Sequence, residues 1–316
     1  MAFTPASGGG VAAARASASP LTTQARHRLD ERHGVALMVI GGLLLGTIGV
    51  FVEEAGQDPL TTVWFRCAFG LLALLAWGAW RGRLHELRLR GTALAAALAA
   101  GVLMMVNWAL FFAAIARTSI GVATVVFHVQ PLWLLALGAW WLHEPLSRRQ
   151  AGAVLLALLG LALATGVFGD PALGRATPAR YGWGLLMCVG GSLSYAAVTL
   201  IAKLARGVSS FALAWWQCAV GALALAARPA LDGWPAWGSA WAWLAGLGVL
   251  HTGLAYVVLY AGMARLSTSR IALLQFVYPA TALALDWLVY GHSLGALQLT
   301  GMALMAVALL GVKRSA

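Results

Sequence analysis

The sequence predicts an all-α membrane protein: ten transmembrane helices arranged as two inverted five-helix repeats. Three observations carry this expectation. Hydrophobic residues make up 61% of the 316 and charged residues only 10%, too few charges to solvate a water-exposed surface of that size. The chain also repeats itself. Trp64-Phe65-Arg66-Cys67-Ala68-Phe69-Gly70 returns 151 residues later as Trp215-Trp216-Gln217-Cys218-Ala219-Val220-Gly221, with Trp, Cys, Ala and Gly in register. Ala116-Arg117-Thr118-Ser119 returns as Ala264-Arg265-Leu266-Ser267, and Pro131 as Pro279, both 148 residues on. Finally, the basic residues fall into short connections whose distribution alternates along the chain.

Residues 1–33 are rich in Ala, Ser, Thr, Gly and Arg, with no apolar run of seven or more. They are expected to form a disordered cytoplasmic tail rather than a secretory signal. A helix needs about 20 apolar residues to cross the hydrocarbon core. Scanning at that length places five spans in the first repeat (34–168), at 34–52, 59–80, 91–115, 118–142 and 150–168. The second repeat (182–313) has spans at 182–202, 209–228, 240–263, 269–291 and 294–312.

An odd number of spans per repeat forces the second copy to insert upside down. With the N-terminus cytoplasmic, the inner side holds 16 Lys and Arg residues and the outer side four, Arg117, Arg175, Arg180 and Arg228, with Arg66 left inside a span. Positive residues are retained in the cytoplasm, so both termini are expected there. The bend after the fourth span carries Arg148 and Arg149, whereas its counterpart after the ninth, Gly291-His292-Ser293-Leu294, carries none. Trp77, Trp80, Trp140 and Trp141 then fall at the inner interface. Trp64, Trp183, Trp234, Trp237, Trp241 and Trp287 fall at the outer one, as aromatic belts do. Trp108 and Trp133 lie deeper.

An Arg early in the second span, a Pro within the fourth, and Glu144 in His143-Glu144-Pro145-Leu146-Ser147, set in two five-span halves, resemble the EamA family of the drug/metabolite transporter superfamily. The resemblance covers residues 34–313. It implies a ten-helix secondary carrier in a bacterial inner membrane, exporting small organic solutes such as amino acids. The position matching Glu144 is His292, which departs from any strict equivalence of the two helix ends.

Polar groups inside a membrane cost about 2.5–3.5 kcal/mol for a mid-helix charge, so they mark surfaces that face protein or water. In the fourth span Phe127 and Gln130 share a face near Pro131; the equivalent positions in the ninth are Gln275 and Tyr278, before Pro279. Each proline removes a backbone hydrogen bond and frees a carbonyl. These side chains either line a cavity or bond between helices. Asn107 and Trp108 in the third span match Ala255 and Tyr256 in the eighth, and Asn107 and His251 are expected to face one central space. His251 and His128 read as structural hydrogen-bonders or as titrating groups. Phe112 and Tyr260 complete the aromatic lining.

Arg66 is expected to snorkel outward toward Glu53, Glu54 or Asp58. Asp286 is placed to stay protonated, to pair with Arg66, or to carry a coupling proton. Glu144 is expected to pair with Arg148 at i, i+4, with Pro145 opening the next helix, making the bend a cytoplasmic hinge. Arg66, Pro131, Glu144, Gln217, Pro279 and His292 are thus assigned structural or gating roles. Gly42 and Gly46 are expected to permit close helix contact, as are Gly190 and Gly191.

The absence of a Lys and Arg cluster at mid-depth argues against phosphorylated solutes. Amide, phenol, indole and imidazole groups suit a neutral or zwitterionic one, with a lipophilic amine or drug as the alternative. The expected partners are that solute and the bilayer; a homodimer is left open. The net charge of +11 is scattered rather than patched, which argues against nucleic acid. No cofactor is expected. Cys67, Cys188 and Cys218 lack metal spacing, and no zinc, nucleophilic-serine or phosphate-loop motif suggests an enzyme. The subunit of an ATP-driven pump remains a further alternative.

Overall fold

A computed structural model describes residues 20–165, 177–291 and 295–314, and every regular element among them is helical. The first repeat comprises α1 (Pro20–Gly46), α2 (Ile48–Ala55), α3 (Pro59–Trp80), α4 (Gly91–Ile115), α5 (Ile120–Phe127), α6 (Gln130–Trp141) and α7 (Arg148–Ala164). The second comprises α8 (Pro178–Leu204), α9 (Ser210–Ala224), α10 (Arg228–Asp232), α11 (Ser239–Gly246), α12 (Ala255–Met263), α13 (Thr268–Leu274), α14 (Val277–Tyr290) and α15 (Ala296–Arg314). A π-helical stretch, Leu247–Leu254, joins α11 to α12. Seven helical segments among the described residues are long and apolar enough to cross a membrane, making this a multi-pass membrane protein. Of the ten expected spans, the fifth, seventh and tenth are shorter: α7 has 17 residues, and the others reduce to the apolar stretches Ser210–Ala224 and Ala296–Leu310.

The sequence places the helix ends. Asp58 caps α3 by accepting from the Leu60 and Thr61 amides at 2.9 and 3.4 Å, with Pro59 at the first helical position, where its missing N–H costs nothing. The repeated Ala-Arg-x-Ser tetrapeptide performs one task twice. Arg117 Nη1 donates to Ala113 O at 2.7 Å and Arg265 Nη1 to Ala261 O at 2.5 Å, closing α4 and α12. Ser119 and Ser267 then cap α5 and α13, accepting from Val122 N at 3.2 Å and Arg270 N at 3.4 Å. The expected tail differs from the structure: α1 begins at Pro20, so residues 20–33 are helical and continuous with the first span. Asp30 and Glu31 hold this extension on the second repeat through Arg265 and Arg270, each pair at 3.0 Å.

The fourth and ninth spans are broken at equivalent places, between α5 and α6 and between α13 and α14. Each break lies just before the paired proline, whose ring displaces the preceding turn and leaves a carbonyl without its helical donor.

The repeats interlock. The α3 N-terminus meets the end of α9 through Asp58 and Arg228, and Ser209 at the start of α9 meets Glu86 in the loop after α3. These equivalent helices therefore run antiparallel. At their crossing the repeated motif is reciprocal: a Cβ at Gly70 would lie 3.2 Å from Cys218 Sγ, and one at Gly221 2.5 Å from Cys67 Sγ. Glycine permits other cross-repeat approaches. Gly42 and Gly46 of α1 abut Val277 and Thr281 of α14, Gly101 of α4 abuts Val220 of α9, and Gly160 of α7 meets the Gly301 backbone of α15. With lipid as apolar as a side chain, such close packing is what drives helix association.

A Cβ at Gly160 would lie 2.6 Å from the Gly301 carbonyl oxygen, whereas Gly152 in the same helix faces open space. Gly160→Ala is expected to lower stability by about 1–3 kcal/mol through overpacking, read as a depressed melting temperature of the purified protein. Gly152→Ala should leave it unchanged or raise it.

Candidate functional site

Arg66 does not snorkel outward. Its side chain enters the interior and only 6% of the residue is exposed. Nε donates to Thr252 Oγ1 at 3.0 Å, and Cζ lies 4.6 Å from the Trp108 ring centroid. The π-helical winding supplies that acceptor, because the Thr252 hydroxyl donates in turn to Leu247 O, five residues back, at 3.0 Å. Gly248 admits α3 to this stretch, since a Cβ there would lie 3.0 Å from Arg66 O. Among the described residues Arg66 forms no ion pair, neither with Glu53, Glu54 or Asp58 nor with Asp286. Its terminal nitrogens form no hydrogen bond to the described residues and keep accessible surface.

Magnitudes explain how the fold tolerates this cation. A mid-helix Arg costs about 2.5–3.5 kcal/mol on insertion scales. A desolvated cation–π contact returns about 2 kcal/mol and a charge-assisted hydrogen bond about 1.5–3. The cation is held without a carboxylate.

Arg66 is within electrostatic reach of Tyr195, Tyr256 and Tyr278. Tyr195 stacks on Phe127 (centroids 6.1 Å apart, planes at 22°), Tyr278 on His128 (5.9 Å, 25°) and Tyr256 on Tyr260 (5.6 Å, 20°). Tyr260 donates its hydroxyl proton to Gln217 Oε1. Tyr195 and Tyr278 are partly buried.

Beside this aromatic group lies a polar knot. Gln130 from α6 and Gln275, between α13 and α14, both donate through Nε2 to Thr199 Oγ1 on α8, each at 3.4 Å. Trp133 donates to Ser192 Oγ, also on α8, at 3.0 Å. Pro131 and Pro279 are buried alongside. Asn107 donates to Met104 Sδ at 3.5 Å, while its Oδ1, Gln275 Oε1 and Gln217 Nε2 are buried without partners among the described residues.

Other expected residues lie elsewhere. His251 turns away from Asn107, its Nε2 2.6 Å from Thr47 Oγ1 and its ring 4.5 Å from that of Phe51. Its Nδ1 lies 3.4 Å from the Gly246 carbonyl, and Thr47 Oγ1 also bonds Leu44 O at 2.8 Å. His128 bonds the Thr124 carbonyl through Nδ1 at 2.7 Å. Phe112 packs at the core's edge beside Phe111. Asp286 is half-buried near the C-terminal end of α14, in the electrostatic neighbourhood of Glu53, Glu54 and Tyr290. His292 lies outside the described residues.

Glu144 pairs with Lys203, not Arg148. Because α6 stops at Trp141 and α7 starts at Arg148 with Ser147 preceding it, Glu144 and Arg148 share no helix and Pro145 opens none. The carboxylate crosses to the second repeat instead, 3.0 Å from Lys203 Nζ. It accepts from Thr268 N at 2.8 Å and Thr268 Oγ1 at 2.6 Å. A comparable tie joins the repeats at the other end. Arg228 lies 3.0 Å from Asp58 and 2.8 Å from Asp232, and Thr61 donates to Asp232.

One sequence signal for these groups is a polar stripe that the motifs above do not include. Ser192, Tyr195, Thr199 and Lys203 recur at steps of three and four residues on one face of α8.

The sequence profile of the EamA-like transporter family matches residues 32–166 and 182–314, one repeat each. "Uncharacterized transporter YxxF" of Bacillus subtilis is 27% identical over 273 residues, 86% of each chain. An "Uncharacterized transporter" of Archaeoglobus fulgidus is 27% identical over 281 residues, 88% of this chain and 96% of its own. A protein of known crystal structure shares the fold at a TM-score of 0.77 and 19% identity, over 90% of this chain and 98% of the other.

Burial works to raise the Glu144 pKa, but the Thr268 and Lys203 hydrogen bonds outweigh it and hold the carboxyl below its usual range. A depressed carboxylate stabilises the fold above its unfolded pKa, and that contribution is lost as pH falls through the folded value. Glu144→Gln should therefore cost about 1–3 kcal/mol at pH 7. The melting-temperature difference from wild type should persist down to about pH 5 and shrink below about pH 4.

Proposed function

This chain belongs to the EamA-like transporter family, and from that premise we propose that it is a secondary carrier exporting small neutral or zwitterionic metabolites, amino acids among them, across a bacterial inner membrane. In this reading the seven long segments, with α7, α9 and α15, make ten spans in two inverted sets of five, and both termini are cytoplasmic. The observation that carries it is the pair of helices broken at equivalent places in the two repeats, whose Gln130 and Gln275 meet on Thr199. Carriers with inverted repeats form their central sites from interrupted helices in this manner.

Alternating access opens such a site to one side at a time. In this reading the moving bodies are groups of helices drawn from both repeats, since the glycine-mediated contacts of α1 with α14, α4 with α9 and α7 with α15 run between halves. The Glu144–Lys203 tie and the Asp58–Arg228–Asp232 cluster stand at the two mouths as gates. A lipophilic cation is less well served, since Arg66 is the one buried Lys, Arg, Asp or Glu among the described residues. Gradient-driven flux through the purified chain alone separates this reading from an ATP-driven subunit.

Untargeted comparison of solutes excreted by cells with and without the protein should show a rise in a small set of amino-acid-like metabolites. Unchanged profiles, together with no flux through proteoliposomes, would reject export. A disulfide between cysteines placed at Glu144 and Thr268 should abolish turnover yet leave solute binding from the outer side intact; full-rate transport by the crosslinked protein would reject the gate.

A further inference from the structure

We infer that Arg66 is the binding group for a carboxylate on the transported solute, an inference that rests on the carrier reading above and adds the chemical class of its ligand. The guanidinium has its Nε committed to Thr252 and one face to Trp108. What remains is the edge formed by the two terminal nitrogens, which hydrogen-bond none of the described residues and keep accessible surface. That edge is a planar fork whose spacing matches the two oxygens of a carboxylate. Its charge is a single one: no second Lys or Arg is buried among the described residues, which suits the one carboxylate of a zwitterion rather than a doubly charged phosphate ester.

The duplication supplies an internal control. The repeat counterpart of Arg66 is Gln217, equally buried at the same α3–α9 crossing, with its Oε1 bonded to Tyr260. The crossing therefore forms around a neutral amide in one half and a cation in the other. Packing at this position does not require a positive charge. Trp108 covers one face of the guanidinium, and the charge of Arg66 also reaches Tyr256 and Tyr278, so a solute with a carboxylate finds aromatic surface for its remaining part.

The test uses the full chain in detergent, its melting temperature titrated with each common L-amino acid and with the primary amides of those that stabilise it. At least one acid is expected to raise the melting temperature, with its amide about tenfold or more weaker. Arg66→Gln, which copies the residue its repeat counterpart already carries, should weaken the acid by a similar factor and narrow its advantage over the amide. Arg66→Lys, which keeps the charge without the fork, should fall between. A wild-type chain that responds to no acid, or equally to acid and amide, overturns the site without recourse to any variant; so does an Arg66→Gln protein that retains the wild-type acid midpoint. Efflux of the same solutes from proteoliposomes reports separately on the carrier reading. Acid-selective binding without flux keeps the site and rejects the carrier, whereas flux shared equally by amides and Arg66→Gln keeps the carrier and rejects the site.

Discussion

The crossing of α3 and α9 is the constraint on which the rest of the molecule depends. Each helix seats its cysteine against the other's glycine, Cys67 on Gly221 and Cys218 on Gly70, and no larger residue at either glycine would let the backbones approach so closely. Trp64 reinforces the contact by donating to Ala222 O across the repeat boundary at 3.0 Å. Because the motif meets its own copy running the other way, the contact sets a pseudo-two-fold relation between the halves. Arg66 and Gln217 fall at equivalent points about it, and so do Trp108 and Tyr256. In a bilayer, where apolar surface gains little by leaving lipid, this fit of small residues replaces the hydrophobic effect as the source of order.

Much of this was legible in the sequence because duplicated chemistry is preserved where packing demands it. The Trp-x-x-Cys-Ala-x-Gly motif could be read as a repeat, although its role as a reciprocal seat emerges only when the helices cross. The Ala-Arg-x-Ser tetrapeptide likewise marked a boundary, and its meaning is a helix C-cap followed by an N-cap. Pro131 and Pro279 announced disturbed helices, and the breaks lie just upstream because a proline removes the bond to the residue four before it.

What remained hidden depended on neighbours that no single helix reveals. The outward path for Arg66 considered α3 alone; Trp108 on α4 and Thr252 on the π-helical stretch draw it inward instead. The i, i+4 spacing of Glu144 and Arg148 presumes a helix already begun at Pro145, whereas α7 starts only at Arg148, and the turn at His143 (φ = +54°) sends the carboxylate to Lys203. Asn107 matches Ala255, and a regular α-turn would put His251 on the face of Ala255, but the π-helical winding turns His251 toward Thr47. A duplicated scaffold thus holds unlike polar residues at like places, and that divergence gives the interior its asymmetry.

Since α3 is 22 residues long, its ends are about 33 Å apart, so the loop after α3 and the loop after α9 emerge on opposite faces if the halves are inverted. Single cysteines introduced at Arg88 and Ala236, in those two equivalent loops, and probed in intact cells with a membrane-impermeant thiol reagent, measure this directly. Inversion predicts labelling at Ala236→Cys in intact cells and at Arg88→Cys only after the membrane is opened. Equal labelling of both positions from one side would contradict the antiparallel arrangement, and with it the shared interior site.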